Sequence, residues 1–292
     1  MVSFNSALSL ILLAGTTSIS SAFTVVPHHG FTASTKSAST GTTSSLYMGW
    51  GPDPIWTDSE VESTEIGNLS TACAKVTVAV SPETAQEFKV AGQYVQVSPD
   101  EDSKPLILAI ASPPDAENAR FEFLIKKTDD NTWMTDGSAK DIKISQVLGG
   151  GFPVKEELDG IKYDFPCQNI LLFAAGSGIA PIRSAIESGE LQTSGARTAR
   201  LYYGVRTEED LCFVDRFPLW EKSGVEVVPV LSQPSESWQG RTGYVQNALE
   251  EDGVPVPRNT GALMCGMKGM AEAVRDILTK AGTFEGRILT NF

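Results

Sequence analysis

Between residues 71 and 147 apolar and polar positions alternate in short runs: TACAKVTVAV, GQYVQVSP, PLILAIAS, FEFLIKK and IKISQV. Turn-forming clusters such as SPDEDSKP and SPPDAENA separate them. Period-two runs at this spacing predict an antiparallel barrel or sandwich. The stretch TWMTDGSA leaves room there for one short helical turn. After YDFPCQ the pattern changes, because NILLFAAG is a continuous apolar run of the kind buried on both faces in a parallel sheet. A βα rhythm follows. IRSAIESG reads as helix, TARLYYGVR as strand, LCFVDRFPLWEKSG as helix, VEVVPVLS as strand, TGYVQNALEED as helix, GALMCG as strand and MAEAVRDILTKAG as helix, before a final strand RILTNF. Five strands with helical crossovers predict a doubly wound α/β sheet, whose ligands sit at the strands' carboxyl ends. The expected architecture is therefore two-domain: an antiparallel β-barrel over residues 66–155, then an α/β doubly wound parallel sheet over residues 165–292.

The first part of the chain follows neither pattern. ALSLILLA and TTSISSA read as a signal peptide over residues 1–22, with cleavage near Ala22. The segment FTASTKSASTGTTSSLY carries ten Ser or Thr in seventeen residues, and the first acidic residue of the chain is Asp53. A hydroxyl-rich, acid-free stretch is the composition of a plastid transit peptide, assigned here to residues 23–47. The pair, with Phe23 after the signal cleavage site, resembles the bipartite leader of algae with secondary plastids, so a plastid (chloroplast) location is expected. A secreted protein with a Ser/Thr-rich linker is the alternative. No membrane span is expected in the mature chain.

Charge and residue usage narrow the chemistry. The chain has 23 basic and 36 acidic residues and a pI near 4.7, with no clustered Lys or Arg, which argues against nucleic acid as a partner. Both histidines, His28 and His29, lie in the expected leader. A mature chain without histidine excludes His-based acid-base catalysis, Ser-His-Asp triads and histidine metal sites. Cys73, Cys167, Cys212 and Cys265 stand far apart, so no disulfide scaffold and no metal site is expected.

One motif points to a ligand. NILLFAAG runs into Gly176-Ser177-Gly178-Ile179-Ala180-Pro181 and then a helix. Strand, glycine turn and helix aim free backbone N–H groups and a helix dipole at a pyrophosphate. In that setting GxGxAP resembles the nucleotide loop of the ferredoxin-NADP reductase superfamily. The order GQYVQVSP, strand, IASPP and Gly-rich turn before Phe resembles that superfamily's flavin domain. YGVR, with Gly204 and Arg206, resembles its strand-end Gly-x-Arg. CGMKGM, with Cys265, Gly266 and Met270, resembles its segment beside the nicotinamide. The stretch from Leu231 through Tyr244 and Gln246 resembles the region around the adenosine ribose.

The resemblance implies FAD and NADP or NAD as cofactors, hydride transfer between nicotinamide and flavin, and electrons passed to an acceptor protein. It assigns Gly176, Ser177, Gly178, Ala180, Pro181, Gly204, Arg206, Ser232, Arg241, Tyr244, Gly266 and Met270 to the nucleotide. Cys265 and a terminal Phe292 shielding the flavin ring would be the catalytic residues. Leu108, Ala109, Ile110, Gly149, Gly150, Gly151 and Phe152 fall on the flavin segments. Two departures matter. Where the family's flavin strand has Arg-x-Tyr-Ser (or Thr), this chain has Leu106, Leu108 and Ala109, and where NADP-dependent members place an Arg after the serine, it has Gln233. Arg206 and Arg241 remain as partners for a 2'-phosphate, and a plastid location favours NADP. The leading expectation is an NAD(P)H-linked flavoprotein oxidoreductase. The alternative is a flavin-less nucleotide-binding sensor or assembly protein derived from a reductase.

Overall fold

The computed structural model describes residues 53–66, 72–160, 163, 165–193, 195 and 197–291. The expected leader lies outside the described residues, as does Phe292.

The first half is a six-stranded antiparallel sheet of β1 (Thr57–Ile66), β2 (Cys73–Ala79), β3 (Tyr94–Ser98), β4 (Leu106–Ala109), β5 (Arg120–Lys126) and β6 (Asp141–Ile144). The order β4-β3-β6-β1-β2-β5 leaves β4 and β5 at the edges. A bridge between Ile110 and Phe123, with the Ala111 N–H donating to the Glu122 carbonyl at 2.7 Å, draws those edges together into a nearly closed barrel. Alternation explains the interior: Val76, Val78, Val95, Val97, Phe121, Phe123, Ile142 and Ile144 point inward and are buried. The barrel begins at Thr57, ahead of residue 66. Strand β1, TDSEVESTEI, is mostly exposed and carries little apolar signal, and it forms because β2 and β6 pair with it on both sides. Helix α1 (Pro82–Glu87) also lies outside the strand pattern. Ser81 caps it by accepting from the Thr84 N–H at 3.1 Å, with Pro82 in the first turn. The short helical turn expected over TWMTDGSA is α2 (Thr132–Thr135), and α3 (Val154–Glu157) leads out of the barrel.

The second half is a parallel six-stranded sheet of β7 (Asn169–Ala175), β8 (Thr198–Val205), β9 (Val225–Leu231), β10 (Arg241–Thr242), β11 (Thr260–Cys265) and β12 (Ile288–Thr290). Its order is β10-β9-β8-β7-β11-β12, with α4 (Ile179–Glu187), α5 (Phe217–Lys222), α6 (Val245–Asp252) and α7 (Lys268–Ala281) as crossovers and covers. The two-residue β10 is the strand that the pattern alone did not separate. The helix expected over LCFVDRFPLWEKSG is reduced to α5. Phe213 adopts a left-handed conformation (φ 59°), and Leu211, Cys212 and Phe213 are buried. Their apolarity serves a packed turn, which periodicity cannot tell from a buried helix.

A single core joins the halves: Cys73, Ala111, Leu124 and Phe152 from the barrel side pack with Ala180, Leu211, Cys212 and Phe213. Across it, Arg183 of α4 reaches Glu122 of β5 at 2.6 Å, Arg183 lies 4.7 Å over the Phe213 ring, and the Ser184 hydroxyl donates to the Ser112 carbonyl at 2.8 Å.

Candidate nucleotide and flavin site

The sheet order reverses direction between β7 and β11, and in an open parallel sheet the crevice at such a switch point is where a nucleotide binds. Here the two strand ends approach so closely that only glycines fit. A Cβ on Gly178 would lie 2.3 Å from the Cys265 carbonyl oxygen, and one on Gly266 would lie 2.8 Å from the Ala175 Cβ. These two glycines are therefore required by packing as well as by any ligand. Gly176 is different: its φ is +56°, and a Cβ there would meet no atom within 4 Å. It opens a 3₁₀ turn, Gly176–Gly178, that runs into α4. The first N–H groups of such a turn have no partner within the helix and carry the positive end of its dipole. The turn also lies against β5 of the barrel, so a group bound on it faces both halves.

The other expected nucleotide residues divide by burial. Ala180, Pro181 and Met270 are buried and act in packing. A Cβ on Gly204 would lie 2.9 Å from Val245 Cγ1, so Gly204 lets α6 seat against β8. Arg206 and Tyr244 are exposed, Tyr244 by 56%, and Ser232 is half-buried. Arg241 is engaged: it pairs with Glu251 and Asp252, and Asp252 is shared with Arg200 and the Tyr202 hydroxyl. Cys265, at the end of β11, is half-buried, and burial pushes its thiol up to about 12, with a hydrogen bond to Asn291 opposing. It is a neutral thiol at physiological pH. Two residues that sequence reasoning did not single out, Glu208 and Ser235, tie the loop after β8 to the loop after β9. The Ser235 N–H donates to Glu208 at 3.2 Å and its hydroxyl donates to the same carboxylate. An acidic residue just past a strand end is the one signal that could have flagged Glu208.

On the barrel side, Leu108 and Ala109 are half-buried and Ile110 is fully buried. Leu108 stands opposite Val95 and Leu106 opposite Val97, and both leucines pack against the barrel core. Phe152 is buried in the core between the halves, with its N–H bonded to the Ala91 carbonyl at 2.7 Å. The glycine turn has local reasons: a Cβ on Gly149 would strike the Tyr94 ring at 2.7 Å, and one on Gly151 the Ala91 carbonyl at 2.6 Å. Gly150 alone faces open space.

The profile of the oxidoreductase NAD-binding domain matches residues 172–276, from within β7 into α7. The chain is 34% identical over 278 residues to the fruit protein pKIWI502 of Actinidia deliciosa, covering 90% of this chain and 84% of that protein. It is 28% identical over 229 residues to the NAD(P)H-flavin reductase of Vibrio harveyi, covering 72% and 87%. In structure it is similar to a ferredoxin NADP+ reductase from Neisseria gonorrhoeae with bound FAD and NADP, at a TM-score of 0.64, 18% identity and coverage of 80% and 97%. The chain belongs to the ferredoxin-NADP reductase superfamily. As in other FAD/NAD(P)-binding oxidoreductases of this superfamily, an antiparallel barrel precedes a parallel nucleotide-binding sheet.

FAD and a nicotinamide nucleotide, as bound in the Neisseria gonorrhoeae reductase, would fit the residues of this chain unequally. The nucleotide half keeps an unobstructed glycine turn at the switch point, and the residues there fit a pyrophosphate. The flavin strand has no cation, ring or hydroxyl at Leu106, Leu108 and Ala109, and its leucines are occupied by the barrel core. What remains for a flavin is main chain, at Gly150 and the adjoining turn.

Proposed function

We propose that the protein is an NAD(P)H-linked oxidoreductase working with a flavin, and that it holds the flavin loosely. The reading rests on the β7/β11 crevice, where Gly176, with open space at its Cβ position, begins a 3₁₀ turn that leads into α4 beside β5. The peptide groups of residues 176–178 would bind the pyrophosphate, and Cys265 and Gly266 would border the nicotinamide. Bound FAD would supply the electron-accepting ring, taking a hydride from the nicotinamide and releasing electrons to an acceptor singly or in pairs. No protein acid or base is needed for that transfer, in agreement with the lack of histidine among the described residues. Without the family's phosphate-binding Arg, flavin affinity would fall by roughly ten- to a hundredfold, the effect of one charge-assisted hydrogen bond of about 1.5–3 kcal/mol. Flavin would then exchange with solution, and an electron-acceptor protein or the free reduced flavin would carry electrons onward.

Quenching of FAD fluorescence by the purified protein tests this directly. Saturable, weak binding that survives dilution poorly supports it. A flavin retained through gel filtration contradicts the loose-binding part. A protein that binds NADH or NADPH yet ignores FAD would favour the second reading, a nucleotide-binding sensor or assembly protein, for which the leucines packed into the barrel are the supporting observation. We further propose a plastid location through the signal-plus-transit leader. A fluorescent protein fused after residue 47 should enter plastids of a secondary-plastid alga, and secretion of the fusion would refute that proposal.

A further inference from the structure

We propose that the adenosine end of the site selects NADH over NADPH, an inference that rests on the nucleotide reading above. A dinucleotide straddling the β7/β11 crevice lays one end over the loops after β8 and β9, on the side to which the adenosine motif belongs. Those loops are residues 206–210 and 232–237. Their charged side chains are one guanidinium, Arg206, against the carboxylates of Glu208, Glu209, Asp210 and Glu236. Arg206 makes no ion pair among the described residues. The loops are stitched together: the Gln233 N–H donates to the Arg206 carbonyl at 2.8 Å, the Ser232 N–H donates to the Val205 carbonyl at 3.1 Å, and Ser235 donates twice to Glu208.

The Glu208 carboxylate is thus held at the junction in its charged form, its pKa lowered first by the Ser235 hydroxyl. A fixed carboxylate beside the adenosine ribose accepts from a 2'-hydroxyl and repels a 2'-phosphate, which carries between one and two negative charges. Against this stands a single guanidinium on the loops, Arg206, outnumbered by their four carboxylates, while Arg241 of the neighbouring strand is already shared between Glu251 and Asp252. Gln233 offers an amide where a guanidinium would clamp a phosphate.

Calorimetric titration of the whole protein with AMP, 2'-phospho-AMP, NADH and NADPH tests the inference. The expected result is tighter binding of AMP than of 2'-phospho-AMP, and of NADH than of NADPH, by roughly ten- to a hundredfold in each pair. Glu208→Gln should narrow both ratios at least severalfold, and adding Gln233→Arg should narrow them further. Equal or tighter binding of 2'-phospho-AMP by the unmodified protein overturns the proposal, and that arm is independent of whether the variants fold. Ratios unchanged in a folded Glu208→Gln variant also overturn it. Failure of all four ligands to bind removes the nucleotide reading itself, a different outcome from a reversed preference.

Discussion

Gly178→Ala and Gly176→Ala occupy the same turn and should fail in different ways. At Gly178 the added Cβ would sit 2.3 Å from the Cys265 carbonyl oxygen and 2.7 Å from its carbon. An ordinary carbon–oxygen contact is about 3.3 Å or more, so the ends of β7 and β11 must part by about 1 Å. Both neighbours are backbone atoms of Cys265, at the end of the central strand β11, which places the cost near the upper end of the overpacking range, about 3 kcal/mol. For a domain of this size each kcal/mol lowers the melting midpoint by roughly 2–4 °C, so Gly178→Ala should melt roughly 6–12 °C below the parent. At Gly176 no atom is struck, and the cost is that of an L-residue at φ +56°, about 1–2 kcal/mol. Its methyl, however, stands where a pyrophosphate would meet the main chain. Gly176→Ala should therefore melt within roughly 2–8 °C of the parent and lose nucleotide affinity out of proportion to that shift. Thermal melts followed by circular dichroism, with nucleotide titrations at a temperature where both variants are folded, measure the two effects. A Gly178→Ala protein that melts with the parent, or a Gly176→Ala protein less stable than Gly178→Ala, would show that the two glycines do not have these separate roles.

Other changes test the remaining features. Arg183→Leu removes the cation between Glu122 and Glu187 across the two halves; the contact to Glu122 is a close ion pair without aligned hydrogen-bond geometry, and Glu122 is 23% exposed. The loss should be about 3 kcal/mol, the lower end for a broken buried pair, read by urea denaturation, and a change below about 1 kcal/mol would show that Arg183 does not hold the two halves together. Two desolvated thiols, the buried Cys167 and the half-buried Cys265, supply a pH dependence. Folding raises Cys167 to about 11 and Cys265 to about 12, above the unfolded value of 9.0, mainly by desolvation. The stability they contribute is complete below pH 9 and is lost as pH climbs toward those values, with a slope approaching about 1.4 kcal/mol per pH unit per thiol. Cys265→Ala should flatten the alkaline loss of stability between pH 9 and 11, and an unchanged slope would show that Cys265 ionises normally.

Much of the architecture was legible because two periodicities divide the chain. Alternation in TACAKVTVAV and GQYVQVSP gives half-buried barrel strands, and the unbroken apolar run of NILLFAAG gives the central parallel strand. The polar strand β1 was not legible, since pairing rather than burial holds it. The helix expected from Leu211 failed because Leu211, Cys212 and Phe213 fill an interdomain core that no local pattern encodes. The site was legible where backbone geometry makes the demand: Gly176, Gly178 and Gly266 converge at the switch point. It was misleading where a residue has two uses, for Gly178 and Gly266 are also required by strand packing, and Arg241 is paired with Glu251 and Asp252. The pairing of Arg183 with Glu122, and of Glu208 with Ser235, depends on which loops the topology brings together.

On this view the β7/β11 crevice presents a nicotinamide nucleotide to a loosely held flavin. Anaerobic mixing of the protein with excess FAD and either NADH or NADPH, followed by visible absorption, tests it most directly. The expected result is bleaching of the flavin band at a rate proportional to protein concentration, abolished in a folded Gly176→Ala variant. Flavin absorption unchanged by nucleotide, in a protein that calorimetry shows to be saturated with that nucleotide, would contradict it.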